Sequence, residues 1–383
     1  MGVVETVVTT FSILAANKYL DLSDGLKGLL VAGTAIGLLL SMFSTAMVRR
    51  LGWSVNWSVT FAWAISAVGF AIAALGNGSV VSFVGGIVLA LIAHSLSSPL
   101  LSQIYRRHYP SEIRGKLFST VGMIKAGSAA LFAFLVGGML AGGDLSYTGL
   151  LWIFSGCSLL KGLFTMTMKP VYLRKSNKLK LLESFGHLKT DAVFRKLIMT
   201  WMLLGIGNLL AMALFVDYIS NDDYSFGFNE AELCMVTTTV PMLAFIVFVV
   251  MWGAIYDKME FYLLRVVVNL FFIAGILVFY FSGTFWGLCA GMALHGMGKA
   301  GGTVLWSLWV TKFAPADHVS EYMSVHTSLT GVRGILTAFI AFPLIAHIGP
   351  FGIGMIGGGL ILASSLWLMP EVLKNNFKTR AEK

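Results

Sequence analysis

Long apolar stretches alternate with short polar ones along the whole chain. A helix needs roughly 18 to 25 apolar residues to cross the ~30 Å hydrocarbon core of a bilayer. The pattern predicts twelve such spans, over 2–20, 25–48, 55–75, 79–104, 117–141, 147–168, 197–219, 230–255, 262–281, 284–311, 320–346 and 350–369. One polar interruption, from Lys169 to Lys196, is longer than the rest and splits the chain into halves of similar length. The expected organisation is a six-helix bundle over 1–168, a basic linker over 169–196, and a second six-helix bundle with a tail over 197–383. Within the linker Leu179, Leu182, Phe185 and Leu188 recur every third residue among basic ones. That spacing suits a short helix lying on an anionic leaflet as well as it suits a solvated charged segment.

Composition narrows the class. Hydrophobic residues make up 57% of the 383 and charged ones 12%, too little polar surface to cover a soluble globule. An all-α, multi-pass integral membrane protein is expected. The net charge of +9 is not a nucleic-acid footprint, because most of the bases fall in alternate short loops, where they report topology. Arg49, Arg50, Arg106, Arg107, Arg114, Lys116, Lys258, Arg265, Lys312, the central stretch and the tail from Lys374 lie on one side. The opposite loops carry Asp21, Asp24, Asp144, Asp222, Asp223 and Glu230, with Lys18 and Lys27 the nearby bases. Both termini are therefore expected in the cytoplasm, in a plasma or bacterial inner membrane. Met1 to Leu20 has no basic start or small-residue cleavage pattern, so the first span is expected to persist. Cys157, Cys234 and Cys289 sit in apolar segments at unrelated spacings and read as small core residues, with no disulfide or metal set implied.

The halves echo each other. His108-Tyr109-Pro110-Ser111-Glu112 leads into Leu117-Phe118-Ser119 as Phe313-Ala314-Pro315-Ala316-Asp317 leads into Tyr322-Met323-Ser324, at one constant offset. A parallel repeat of six helices accounts for this. The loop after the eighth span reads Gly253-Ala254-Ile255-Tyr256-Asp257-Lys258, with Arg265 beyond. Two six-helix halves, a long basic central loop and this glycine, three residues, aspartate, basic pattern resemble the major facilitator superfamily of secondary transporters. The equivalent loop after the second span departs from it: Arg50-Leu51-Gly52 is kept, but Arg49 stands where the family usually has aspartate. The resemblance implies that helices 1, 4, 7 and 10 line a central cavity and 2, 5, 8 and 11 flank it, with 3, 6, 9 and 12 facing outward. It also implies gating roles for Gly253, Asp257 and Lys258, and a monomer.

A charge at mid-membrane costs about 3 kcal/mol or more and demands a partner or a wet cavity. Lys125, Lys299 and Arg333 each lie deep in a predicted span. Snorkelling to the interface accounts for Lys18, Lys27 and Lys161. His295 and Lys299 are four residues apart on one helical face, continued by Gly302 and Trp306, and His326, Thr330, Arg333 and Thr337 make a second polar stripe. Glu5, Thr9 and Ser12 make a third, and extending the repeat backwards sets His94 opposite Lys299. Such Ser, Thr and His residues also serve as plain interhelical hydrogen bonders.

The sign of the set is its most informative property: bases and histidines, with Glu5 the one acid well inside a span. Unbalanced positive charge in a low-dielectric pocket attracts an anion, and arginine offers a fork for carboxylate or phosphate. The expected function is alternating-access transport of a small organic or phosphorylated anion. Arg333, Lys299, Lys125, His94, His295 and His326 are the expected binders, Asn208 and Trp306 shape the pocket, and Glu5 or a cavity histidine carries any coupling proton. Three alternatives stay open. The 13% aromatic share suits an exporter of apolar or drug-like compounds. Nineteen methionines, with Met292 and Met297 near His295, suit a copper transporter. Architecture alone also allows a non-transporting sensor or partner subunit. No phosphate-binding loop and no His-Glu-x-x-His helix is present, so neither an enzyme nor a cofactor is expected, and the partners are substrate and lipid.

Overall fold

The computed structural model describes residues 2–76, 78–110, 114–173, 183–315 and 318–374. Arg174, Lys175, Lys178, Leu179, Lys180, Leu182 and the tail beyond Lys374 lie outside the described residues, as do the side chains of Arg106, Arg114 and Lys116.

Twelve long helical segments stand among the described residues, with short helical turns at Glu183–Gly186, His187–Thr190 and Asp222–Tyr224. The first, α1, runs over 2–18 as Gly2–Thr6, a π-turn Val7–Phe11, and Ser12–Lys18. Then come α2 (Asp24–Leu51), α3 (Val55–Leu75), α4 (Val80–Leu96 continued by Ser98–His108), α5 (Arg114–Ala141) and α6 (Tyr147–Met166). The second half has α7 (Ala192–Ser220), α8 (Glu230–Cys234, a π-turn Met235–Thr239, then Val240–Lys258), α9 (Phe261–Phe281) and α10 (Phe285–Phe313). A last helical stretch, Val319–Lys374, is broken at Gly349 (φ 69°, ψ 173°), which divides it into α11 (319–348) and α12 (350–374). Glycine reaches that φ without strain, and Pro350 behind it needs no hydrogen bond at a helix start.

Polar residues mark where helices begin. Ser54, Ser146, Asp191 and Thr284 accept from the backbone N–H three residues on, at 3.2, 3.1, 2.9 and 3.2 Å. Asn229 and Glu232 exchange hydrogen bonds in a reciprocal cap. Each satisfies an N–H that hydrocarbon would leave bare.

The two halves are built alike. In the first, α3 and α4 cross where a Cβ on Gly69 would sit 2.6 Å from the Gly86 carbonyl, and in the second α9 and α10 cross where one on Gly275 would sit 2.9 Å from the Gly291 carbonyl. Thr60 donates to the Gly162 carbonyl (2.9 Å) and Ser155 to that of Ala67 (2.9 Å), tying α3 to α6. Asn269 donates to Ser365 (2.9 Å), tying α9 to α12. In lipid these hydrogen bonds and close approaches hold helices together, because burying apolar surface gains nothing there.

Helices α2 and α11 form one contact between the halves. A Cβ on Gly331 would meet the Leu39 nitrogen at 2.8 Å and the Ala35 carbonyl at 2.9 Å, and one on Gly28 the Ala338 carbonyl at 3.0 Å. Helices α5 and α8 form another, where Thr239 donates to the Ala130 carbonyl (3.3 Å) and a Cβ on Gly137 would approach Cys234 to 2.8 Å. The helix ends that carry Arg49, Arg50, Arg107, Lys258 and Lys312 are called the basic end below, and the loops that carry Asp21, Asp24, Asp144, Asp222, Asp223 and Glu230 the acidic end.

A valine at 331 forces α2 and α11 apart, and is expected to cost about 1–3 kcal/mol. Gly359, whose Cβ direction is open, tolerates the same change. Thermal unfolding of the detergent-purified Gly331→Val and Gly359→Val variants tests the difference.

Candidate functional site

Halfway along the molecule, charged groups from both halves meet. Glu5 lies on α1 just before the π-turn, and its carboxylate accepts from Lys125 Nζ of α5 at 2.7 Å. Its other oxygen lies 3.7 Å from Lys299 Nζ of α10. The three side chains are 25%, 32% and 31% exposed, so the group is half-open instead of sealed in packing. Two ammonium groups facing one carboxylate leave a single net positive charge.

The π-turn explains why α1 serves two tasks. A π-turn fits an extra residue into the helix and shifts the face that follows. Glu5 therefore points to the lysines while Thr9 and Thr10 point to the matching π-turn of α8. Thr10 Oγ1 lies 2.8 Å from Thr237 Oγ1 and 2.5 Å from Thr238 Oγ1, and Thr9 Oγ1 lies 3.2 Å from Thr238 Oγ1. Ser12, expected on the same stripe as Glu5 and Thr9, is buried.

His94 stands edge-on to Trp63, ring centroids 4.6 Å apart, and its Nδ1 is buried without a hydrogen-bond partner. Lys161 belongs to the same neighbourhood. Its Nζ lies 3.0 Å from the centre of the Trp63 ring, also buried and without a hydrogen-bond partner. Snorkelling to the interface is therefore corrected for Lys161, whose ammonium is held by the negative face of an indole.

The other expected binders fall in two further places within the second half. His295 Nε2 lies 3.0 Å from Asn208 Oδ1, in a wall made by Phe215 and Phe272. Arg333, 6% exposed, packs against Gly205 and donates to the Trp201 carbonyl. His326 stands among Trp201, Trp306 and Trp309 at 5.2, 5.5 and 5.2 Å between ring centroids. Among the described residues no contact joins Arg333 or His326 to the Glu5 group. Arg265, counted from sequence among the loop bases, is 2% exposed inside the bundle, its guanidinium 3.3 Å from the Trp201 ring centre. Of the gating set, a Cβ on Gly253 would meet open space and Lys258 is exposed, while the Asp257 side chain lies outside the described part of the structure.

At the acidic end a second polar group joins the halves. Lys27 Nζ lies 2.9 Å from Asp217 Oδ1, with side chains only 9% and 4% exposed. Asn17 donates to Asp217 (3.0 Å) and to Ser220 (2.8 Å), and Lys18 donates to the Phe228 carbonyl (2.7 Å) beside Glu230. Snorkelling is thus corrected for Lys27 as well, since its ammonium is buried against a carboxylate from the other half. Asn17, Lys18, Lys27, Ser220 and Glu230 line a cleft of about 740 Å³ that also takes in Asp24, Asp222 and Asp223. Burial, with the charges of Asp217 and Asp223, pushes the Tyr224 phenol up to about 12. Sequence reading missed this closure, although Asp217 in the last turn of a predicted span and Lys27 in the first turn of another carried the signal.

No protein-family model and no curated protein matches the chain by sequence. Solved structures do match. The nucleoside transporter NupG superposes with a TM-score of 0.74 at 14% identity, over 96% of this chain and 96% of that one. A POT family transporter in complex with 5-aminolevulinic acid gives 0.76 at 10% identity, over 97% and 94%. The human organic anion transporter MFSD10 gives 0.65 at 14% identity, over 94% and 88%. The chain has the major facilitator fold. In that fold α1, α4 and α10 are the helices expected around the centre, and they carry Glu5, His94 and Lys299. Lys125 comes from α5, a flanking helix of the major facilitator arrangement.

Asp217→Asn leaves Lys27 buried without its counter-charge, an expected loss of about 3 kcal/mol from the closed acidic end. The check is the labelling rate of a cysteine placed at Ser220 by a membrane-impermeant thiol reagent. It should rise in the Asp217→Asn background.

Proposed function

We propose that this protein is a secondary active transporter that moves a small organic or phosphorylated anion across a plasma or bacterial inner membrane by alternating access. The basic end and both termini then face the cytoplasm. The observation that carries the reading is Glu5 held between Lys125 of the first half and Lys299 of the second. A charge set of this kind, half-open at mid-membrane, is the mark of a permeation path, since a purely structural pair gains nothing from exposure there. The fold's neighbours support a small polar cargo: one is named for nucleosides, one was solved with 5-aminolevulinic acid, and one is named for organic anions.

The balance of charge suggests how the substrate is held and released. With Glu5 ionised the lysines are partly occupied and the site carries one net positive charge. A proton on Glu5 removes its hold, leaving both ammonium groups to a carboxylate or phosphate. Anion and proton then favour each other's binding at one site, the requirement for moving together. His94 borders this space and Trp63 holds it in place. Arg333, turned to Trp201, keeps α7 against α11 in this reading, and His295 with Asn208 stiffens the wall behind Lys299. Closure at the acidic end by Lys27, Asp217 and Asn17 presents the site to the cytoplasmic side. Opening that end requires this contact to part.

Reconstitution into proteoliposomes tests the reading. Lys125→Gln and Lys299→Gln should each reduce uptake of organic anions by tenfold or more, whereas Glu5→Gln should keep anion exchange but lose accumulation driven by a pH gradient. Normal anion uptake by the double lysine variant, or selective movement of lipophilic cations by the unaltered protein, would overturn it.

A further inference from the structure

At the basic end, three side chains that the transport reading does not use converge on one point. His187 belongs to the short helix His187–Thr190 that closes the linker. His318 precedes α11, and Glu321 lies in its first turn. His187 Nε2 is 2.7 Å from Glu321 Oε2, and His318 Nδ1 is 3.1 Å from the same oxygen. One ligand atom from each of the three residues lies within 4.8 Å of the other two. The imidazole rings are 5.3 Å apart, tilted toward each other across the carboxylate.

We infer that His187, His318 and Glu321 form a binding site for a divalent transition ion of borderline softness, best matched by Zn²⁺. Two imidazoles and a carboxylate are a three-ligand set of the kind that holds zinc with its fourth position open to water. Bonds of about 2.0–2.2 Å set tetrahedral donors a little over ~3 Å apart, so the two nitrogen-to-oxygen distances of 2.7 and 3.1 Å need only a small spread to admit the ion. Calcium and magnesium demand oxygen ligands and are poorly served by two nitrogens.

The surroundings favour this use. The three side chains are 22%, 48% and 35% exposed, open enough for an ion to enter from water. The His187 ring is braced by Tyr322 at 4.7 Å, and the Tyr322 hydroxyl donates to Asp191 Oδ2 at 3.0 Å. Partners behind the ligands that fix an imidazole's orientation are what tune a metal centre. His318 and Glu321 are three residues apart across the entry to α11, so a single ion would pin the end of the linker to the foot of that helix. Because α11 packs along α2 of the first half, the ion ties the connection between the halves to the element that joins them.

Titration of the tag-free, full-length protein with Zn²⁺, followed by calorimetry, and with Co²⁺, followed by visible absorption, tests the site. The expected result is one equivalent per chain, with the absorption of a four-coordinate Co²⁺ centre and a higher melting temperature when Zn²⁺ is present. His187→Ala and His318→Ala should each weaken binding by about tenfold or more. Glu321→Gln, which keeps the shape of the side chain, serves where an alanine variant fails to fold, and His347→Ala, an exposed histidine elsewhere on α11, should leave binding unchanged. Absence of binding by the unaltered protein, or binding that survives His187→Ala, His318→Ala and Glu321→Gln alike, would overturn the assignment.

Discussion

A bare charge in hydrocarbon is so costly that every ionised group inside this bundle has to be accounted for, and the arrangement of Glu5, Lys125 and Lys299 follows from that constraint. Each lysine alone would strain its own half. Sharing one carboxylate across the divide lets both be tolerated and places the shared charge between the halves. The same logic recurs in weaker form elsewhere: Lys161 leans on the Trp63 ring, Arg265 on the Trp201 ring, and Lys27 on Asp217. The aromatic partners act through the electron-rich face of the ring, which needs no hydration to hold a cation.

These interactions divide the molecule by depth. At the acidic end the contact between halves is an ion pair with amide and hydroxyl groups around it, nearly dry. At the centre it is a half-open charge group and a row of hydroxyls. Along α2 and α11 it is glycine against backbone, with no polar side chain required. A contact made of close backbone approach keeps its geometry through small rotations, whereas an ion pair is made or broken. The molecule thus has both a lasting seam and a releasable one.

The helical architecture was legible in the sequence because hydrocarbon thickness imposes a length on each span. The break at Gly349 falls in the gap between the last two predicted spans. Side-chain direction was harder. Period counting put Glu5, Thr9 and Ser12 on one stripe, but past the π-turn at Val7–Phe11 Ser12 is buried while Glu5 and Thr9 stay half-buried, and no residue type announces a π-turn. Arg265 looked like a loop base because it lies near the start of α9, yet a guanidinium stacks on indole inside a bundle as readily as it reaches water. Lys161 misled for a related reason. Length lets lysine snorkel, but Trp63, ninety-eight positions away in sequence, decides that it does not. Arg333 was expected deep in its span as a binder, while its turn toward Trp201 depends on the space left by Gly205, a neighbour no periodicity reveals.

The facing π-turns of α1 and α8 carry a consequence of their own. Thr9 and Thr10 meet Thr237 and Thr238 as hydroxyl against hydroxyl. Thr237 already gives its proton to the Leu233 carbonyl at 2.7 Å, so toward Thr10 it accepts, while the pairs with Thr238 can run in either direction. The two helices therefore meet through neutral groups whose direction of donation is not set by charge, where a salt bridge would fix a sign on each side.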